Sequence, residues 1–168
     1  MRVLLIITML LSLSACANFN FKFEEPEEPA PIDTAIEKVG WNEQQNRIEI
    51  RHFTGVDPVR TQWCAAFVNA VLAESGLPGS DAYEENPLLA RSFLSWGNEV
   101  EYPEYGDIVV FSRGRENWKG HVGFYVGSTY VNGQKHYLVL GGNQNNSVTY
   151  KEYPARRLLS IRRFSLEG

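Results

Sequence analysis

The pattern of apolar and polar positions divides the chain into a helical first part and a strand-rich second part. Residues 64–75 carry apolar side chains at helical spacing and are followed by Gly76, which predicts a helix with a broad buried stripe. Weaker helical signals occupy three other segments: 33–40, 46–52 (where a short strand is the alternative) and 88–97, which follows an asparagine cap and a proline.

After Pro103 the pattern changes to short β-branched or aromatic runs separated by glycine and asparagine, which is typical of antiparallel strands. Five such runs occur, at 107–112, 121–127, 136–140, 148–153 and 158–164. Helices followed by a strand meander predict an α+β fold for this part of the chain.

The first residues of the chain form a separate unit. The apolar run from Val3 to Leu13 is shorter than the roughly 20 residues that span a bilayer, so residues 1–15 are predicted to be a signal peptide. Leu13-Ser14-Ala15-Cys16 matches the bacterial lipoprotein processing box, in which the cysteine thiol accepts the lipid. We therefore expect a lipid anchor at Cys16; the alternative is an ordinary secretory signal with a cysteine near its cleavage site.

Residues 16–32 are predicted to be the lipidated cysteine and a semi-extended tether, because three prolines and four glutamates follow one another there without a helical period. The folded domain is then expected over residues 33–168. The residue after the cysteine is Ala17 and not an aspartate. By resemblance to lipoprotein sorting in two-membrane bacteria, we therefore expect the protein to be anchored in the outer membrane, with its domain facing the periplasm.

Composition narrows the class of protein. A hydrophobic fraction of 43% argues against a wholly disordered chain, and a net charge of -4 gives no case for a nucleic-acid partner. The chain has two cysteines. With Cys16 blocked by lipid, Cys64 is the one remaining thiol in an exported, oxidising setting, where an unpaired cysteine calls for an explanation.

Cys64 and His121 are the candidates for nucleophile and base. Cys64 begins the predicted helix, where the helix dipole and free backbone N–H groups favour a thiolate; the alternative is a small buried hydrophobe. His121 opens a strand directly after the loop 113–120, so its ring can face a cleft, or it is a packed or surface histidine. His52 and His136 are expected at the surface.

Asn143 is the candidate for the group that orients the base. It follows a predicted strand after Gly141 and Gly142, where its side chain can bond the far nitrogen of His121 and fix the tautomer of the ring. The alternative is a turn asparagine.

Four stretches carry a family resemblance: Thr-Gln-Trp-Cys-Ala-Ala-Phe-Val-Asn at 61–69, Gly-Asp-Ile-Val-Val-Phe at 106–111, Gly-His-Val-Gly-Phe-Tyr at 120–125 and Leu-Gly-Gly-Asn-Gln at 140–144. Their order and context resemble the papain-like cysteine peptidoglycan hydrolases of the NlpC and CHAP type, over most of residues 33–164. The resemblance implies a papain-like α+β domain with N-terminal helices on an antiparallel sheet, and places the nucleophile at Cys64, the base at His121 and the orienter at Asn143. Many CHAP domains carry an acidic residue two positions before the equivalent asparagine, but Gly141 stands there, which leaves the third role open between Asn143 and Gln144.

The resemblance implies hydrolysis of an amide bond of peptidoglycan, by an amidase or endopeptidase acting through an acyl-enzyme on Cys64. The backbone N–H of Cys64 and the side chain of Gln62 are candidate oxyanion donors. This chemistry uses no cofactor and no metal, so none is expected. The alternatives are a non-catalytic peptidoglycan-binding lipoprotein and an acyltransferase with the same triad; the retained cysteine, histidine and asparagine favour an enzyme.

Other residues near these motifs have predicted roles in structure or substrate binding. Asp107 is expected to stabilise a turn and not to act in catalysis. Trp63 and Trp96 are expected to pack beside the helices, whereas Trp118 is expected either in the substrate groove or in the core. Four arginines are expected either to attract the anionic wall polymer or to form a solvated strand face: Arg156, Arg157, Arg162 and Arg163.

Overall fold

The computed structural model describes residues 30–165, so the predicted signal peptide, Cys16 and most of the predicted tether lie outside the described residues. The α-helices are α1 (Pro31–Glu37), α2 (Arg47–Thr54) and α3 (Cys64–Glu74). The strands are β1 (Asn98–Glu99), β2 (Ile108–Ser112), β3 (Gly120–Val131), β4 (Gln134–Gln144), β5 (Ser147–Pro154) and β6 (Leu158–Arg163). Short 3₁₀ helices cover Ser80–Ala82, Ala90–Ser95 and Ala155–Arg157.

The strands form one antiparallel sheet in the order β1-β6-β2-β3-β4-β5. The central strand β2 is buried on both faces: Ile108 and Val110 join the core under the helices, and Val109 and Phe111 join a smaller cluster on the other face. Because side chains alternate along a strand, burial on both faces requires the continuous apolar run seen in the sequence. The predicted α+β class is confirmed.

The main core lies between the helices and one face of the sheet, where α3 packs on β3 and β4. The predicted packing of Trp63 and Trp96 is confirmed, since both side chains are buried in this core. Gly142 allows α3 to approach the sheet closely: a Cβ atom at that position would lie 2.6 Å from Trp63 Cζ3 and 2.7 Å from Phe67 Cβ. A larger residue at 142 would displace the helix that carries Cys64.

The helix predicted over 88–97 is wrong. Only the 3₁₀ helix Ala90–Ser95 forms, preceded by Leu89 in an extended conformation. The Ser92 hydroxyl contacts the Leu89 carbonyl oxygen at 2.8 Å and the Ser80 hydroxyl at 2.8 Å. Such side-chain bonds compete with a regular helix, and here they tie the segment to the neighbouring 3₁₀ helix.

Two smaller points concern the N-terminal helices. The segment near residue 46 is helix α2, which decides between the helix and strand alternatives. Helix α1 begins at Pro31 and buries Ile32, so two residues that the sequence assigned to the tether belong to a helix. Within residues 30–165, no helix has the length and hydropathy needed to cross a membrane.

Candidate active site

Cys64 is the first residue of α3, and its side chain is buried. Burial raises the pKa of its thiol above the ordinary value, while the backbone N–H groups of Val122 and Ala65 act in the opposite direction. The predicted help from the helix terminus is therefore present, but desolvation outweighs it. Cys64 is therefore a neutral thiol, and it lies beside Val122, the residue that directly follows His121 in β3.

His121 is the second residue of β3 and is 3% exposed. Its ring stacks on Tyr153 with centroids 4.8 Å apart, and Tyr153 stacks in turn on Phe111 at 5.0 Å. Burial lowers the pKa of His121 to about 4, although its hydrogen bond with Gln144 opposes that shift. The imidazole is therefore neutral at pH 7.

Gln144 determines which nitrogen of that neutral ring carries the proton. Its side-chain Nε2 donates to the carbonyl oxygens of Val139, at 3.2 Å, and of Thr149. Its Oε1 lies 3.1 Å from His121 Nε2 and can only accept. His121 Nε2 must therefore hold the hydrogen, which leaves Nδ1 with a free lone pair that can accept a proton from a thiol.

Nδ1 has no hydrogen-bond partner among residues 30–165, and the Cys64 thiol is not bonded to the ring in this state. Contacts between nucleophile and base are often loose before substrate binds and tighten in the complex. What the fold provides at this stage is a protonated sulfur and an unprotonated nitrogen on adjoining elements.

The predicted contact between Asn143 and His121 does not form. Asn143 Nδ2 donates instead to Gln62 Oε1 at 3.1 Å, and Gln144 occupies the place beside the ring. The cause is an irregularity in the pairing of β4 with β5 between Gly141 and Gln144, together with a φ of 57° at Asn143. A bulge of this kind turns successive side chains away from their regular alternation.

Gly141 lies against the contact between Gln144 and His121, and a Cβ atom there would make ordinary van der Waals contacts. A Cβ atom at Gly141 would lie 3.5 Å from His121 Nε2 and 3.6 Å from Gln144 Cδ. In this chain, therefore, the position where many CHAP domains carry an acidic side chain is open toward the imidazole. The amide of Gln144 reaches the same nitrogen from the other side of the bulge.

Gln62 lies at the rim of the groove, two residues before Cys64. Its Oε1 accepts from Asn143 Nδ2 at 3.1 Å and from Arg113 Nη1 at 3.4 Å. With the oxygen engaged twice, the Nε2 group is held as a donor, and it has no acceptor among the described residues. Asn143 is thus placed to orient Gln62, a role that the sequence did not suggest.

Two adjoining pockets open at this site. The apolar pocket, of about 480 Å³, is lined by Cys64, Leu88, Leu89 and Trp118 among others. The polar pocket, of about 450 Å³, is lined by His121, Asn143, Lys151, Tyr153 and Arg157 among others. Gln62 and Arg113 line both pockets, so the two form one groove with its boundary near the thiol and the ring.

Trp118 lies in the wall of this groove and is 59% exposed, with Lys119 Nζ 5.1 Å from the ring centroid. Its alternative placement in the core is wrong. The loop 113–120 ends where β3 begins, and Trp118 lines the same pocket as Cys64.

Asp107 has the structural role expected of it, because Arg163 donates to both carboxylate oxygens at 2.8 Å and the Glu104 backbone N–H donates at 2.7 Å. Arg163 is therefore not available to the wall polymer. Arg162 Nε donates to the Phe93 carbonyl oxygen. Of the four arginines considered, Arg157 alone lines the polar pocket.

Sequence reasoning missed two groove residues: Lys151, whose charge acts with burial to lower the pKa of His121, and Tyr153, which supports its ring. The β4–β5 hairpin was the available signal, because its pairing brings the polar side of β5 next to the strand that ends at Gln144.

His52 is exposed, and His136 Nδ1 lies 2.9 Å from the Gln134 carbonyl oxygen. No cluster of three or more histidine, cysteine or acidic residues with metal-binding geometry occurs in the part of the chain that the structure describes.

Comparison with known proteins shows the family of the chain. The family model of the CHAP domain matches residues 56–143, which is just over half of the 168 residues. The match includes Gln62, Cys64, His121 and Asn143, and ends one residue before Gln144. No curated protein matches the chain.

Proposed function

The chain belongs to the CHAP domain family, with its α+β papain-like fold, and we propose that it is a thiol-dependent hydrolase that cleaves an amide bond of peptidoglycan. CHAP domains are typically hydrolases that act on peptidoglycan, which supports the polymer as substrate. In the proposed reaction Cys64 is the nucleophile, His121 is the base and Gln144 orients the base.

The reaction begins from the neutral pair. His121 Nδ1 accepts the thiol proton while Cys64 Sγ attacks the carbonyl carbon of the substrate amide. The imidazolium then protonates the leaving nitrogen, the C–N bond breaks and a thioester remains on Cys64. Water hydrolyses the thioester, again with His121 as base. Burial raises the pKa of the thiol and lowers the pKa of the ring, so both groups are uncharged before the substrate binds.

The observation that carries the proposal is the hydrogen bonding of Gln144. An amide whose two hydrogens bind backbone carbonyls can present only its oxygen to His121, so the tautomer with an unprotonated Nδ1 is imposed by the fold. A merely packed histidine has no need for this arrangement. A nearby thiol at a helix start makes the unprotonated nitrogen useful.

Stabilisation of the oxyanion is assigned to the backbone N–H of Cys64 and the Nε2 group of Gln62. The contacts of Asn143 and Arg113 with Gln62 Oε1 support this assignment, because they engage the oxygen and leave the amide nitrogen without an acceptor among the described residues. Donors held before the reaction cost little reorganisation when the charge develops. Asn143 acts here as a positioning residue for the oxyanion donor.

The decisive experiment compares purified wild-type protein with Cys64→Ala and His121→Ala on isolated peptidoglycan, with mass analysis of the soluble products. Both variants are expected to lose at least about 10³-fold in rate while remaining folded. His136→Ala is the matched control, since that histidine lies on β4 with its ring bonded to a backbone carbonyl, away from the groove.

The same products separate the alternative functions. Release of fragments with a new carboxyl group indicates hydrolysis, whereas fragments joined to an added amine indicate acyl transfer. Binding of peptidoglycan by wild type and Cys64→Ala alike, without released fragments from either, would show a non-catalytic binder and contradict the proposed reaction.

We further propose that the chain is a lipoprotein anchored through Cys16 at the outer membrane, facing the periplasm. The processing box at residues 13–16 and Ala17 support this proposal; they lie outside the described residues. A Cys16→Ser variant, whose hydroxyl cannot form the thioether, is expected to be unprocessed or soluble in cell fractionation. Partition of that variant with the outer membrane as for the wild type would contradict lipid attachment.

A further inference from the structure

The two pockets of the groove differ in chemistry as well as in position. The apolar pocket contains the thiol and offers Leu88, Leu89 and the face of Trp118. The polar pocket contains the imidazole and three cationic side chains, which are Arg113, Lys151 and Arg157, against one carboxylate, that of Glu152. A substrate that passes over both reacting groups must therefore present different chemistry on its two sides.

The three cations are not neutralised within the described part of the chain. Lys151 Nζ donates to Asn145 Oδ1 and Arg113 Nη1 to Gln62 Oε1, which are uncharged partners, and none of the three lies within salt-bridge distance of a carboxylate of residues 30–165. By contrast, Lys119 and Arg163 have carboxylate partners at 2.8 Å. The polar pocket therefore has a positive charge excess, and the charges of Arg113 and Lys151 act in the same direction as burial in lowering the pKa of His121.

The proposed reaction determines which side of the substrate lies in which pocket. The acyl group remains on Cys64 as a thioester, so it lies on the side of the apolar pocket. The amine leaves with a proton from His121, so it lies on the side of the polar pocket. The assignment of sides therefore follows from the placement of sulfur and imidazole.

We infer that the groove selects an amide whose amine side carries a free carboxylate, bound by Arg113, Lys151 and Arg157, and whose acyl side presents an apolar group to Leu88, Leu89 and Trp118. This inference rests on the proposed function and adds the polarity of the substrate to it. Guanidinium and ammonium groups bind carboxylates through charge-assisted hydrogen bonds, which Asn145 and Asn146 at the pocket edge can supplement.

The test uses synthetic peptides built around the bond that mass analysis of wall digests identifies. The first peptide carries a free carboxylate on each side of that bond. The second has a primary carboxamide in place of the carboxylate on the amine side, and the third has it in place of the carboxylate on the acyl side. For the wild type, kcat/KM is expected to fall about tenfold from the first peptide to the second. A change to 1 M salt is expected to narrow that ratio, because screening weakens exposed charge pairs at separations beyond about 3 Å.

Variants locate the effect. Arg157→Gln and Lys151→Gln are each expected to reduce the ratio between the first two peptides by about threefold. Arg156→Gln is the matched control: it lies in the same 3₁₀ helix, is also exposed and removes the same charge, but its guanidinium bonds Gln134 outside the groove. It is expected to leave the ratio unchanged.

The failures of the two proposals differ. Cleavage of the first two peptides by the wild type at rates within twofold, or an equal effect of Arg156→Gln and Arg157→Gln, would overturn the inferred carboxylate subsite and leave the hydrolase intact. A larger loss from the carboxamide on the acyl side would reverse the assignment of sides. Failure of the wild type to cut either peptides or wall would contradict the proposed function itself.

Discussion

A buried titratable side chain lies near each end of β2, and the two side chains differ in how their polar atoms are hydrogen-bonded. Asp107 precedes the strand at what we call the anchored end, and His121 pairs opposite Phe111 at the reactive end. Their exposures are similar, at 6% and 3%. Burial alone therefore does not distinguish a structural group from a reactive one.

At the anchored end, both oxygens of the carboxylate are hydrogen-bonded. Both oxygens of Asp107 accept from Arg163, one of them also accepts from the Glu104 backbone, and the hydrogen bond to Asp107 raises the pKa of Arg163 above its ordinary value. A pocket of about 510 Å³ lies here as well, and its buried carboxylate, that of Asp107, is held in the ion pair with Arg163. This pairing joins the start of β2 to the end of β6.

At the reactive end, only one of the two ring nitrogens is hydrogen-bonded. Gln144 satisfies one nitrogen of His121 and the other nitrogen is left for a proton. His121 lines the polar pocket, so its unpaired nitrogen is the one available for proton transfer in the proposed reaction. The contrast predicts that substitutions at the reactive end change rate and substitutions at the anchored end change stability.

The strongest test of this contrast is Gln144→Ala. We expect kcat to fall about 10²-fold to 10³-fold with little change in KM, because the ring loses the partner that fixes its tautomer. Asn143→Ala is the matched neighbour and is expected to cost about tenfold, through loss of the contact that orients Gln62. Steady-state kinetics on one peptide measures both, and a larger loss in the Asn143 variant would restore Asn143 as the orienter.

The second test is the pH dependence of stability. The pKa of His121 is about 4 in the folded state and about 6.5 in an unfolded chain, so between these values the unfolded state binds more protons. The free energy of unfolding then falls as the pH is lowered from 7 to 4, by about 3 kcal/mol from this group. The difference between wild type and His121→Gln in denaturant unfolding isolates this part; parallel curves for the two proteins would contradict it.

The third test is Asp107→Ala at the anchored end. Loss of the bidentate pair and of the bond from Glu104 is expected to destabilise the protein by about 2 kcal/mol, with a melting temperature lower by about 4 to 8 °C. Turnover at a temperature where the variant is folded is expected to stay within about twofold of the wild-type value, since no contact of Asp107 reaches the groove. Loss of turnover in folded protein would show that the two ends are coupled.

The smallest effect is expected for Trp118→Ala. Its exposed ring is expected to contribute a few-fold to wall binding and less than about 1 kcal/mol to stability. Trp96→Ala is the control, because removal of that buried ring is expected to cost about 3 kcal/mol or more. Sedimentation with insoluble peptidoglycan and thermal unfolding measure the two quantities; normal binding by the folded Trp118 variant would exclude it from the groove.

The sequence by itself determined the larger features of this protein. Helical periodicity placed α3 with Cys64 at its start, and the β-branched and aromatic runs after Pro103 predicted antiparallel strands, because these patterns depend only on local spacing. The motifs around Cys64 and His121 indicated the family. The anchor at Cys16 stays a prediction from the sequence.

Only the tertiary structure decided the partners of the polar side chains. Whether Asn143 or Gln144 meets His121 depends on a bulge in β4, whose effect on side-chain direction is set by pairing with β5 and not by local composition. The neutral state of Cys64 is likewise a property of burial, which outweighs the helix terminus. The 3₁₀ turn at 90–95 follows from bonds to distant residues. These three features depend on contacts between segments that are far apart in the chain, so the local pattern of residues could not predict them.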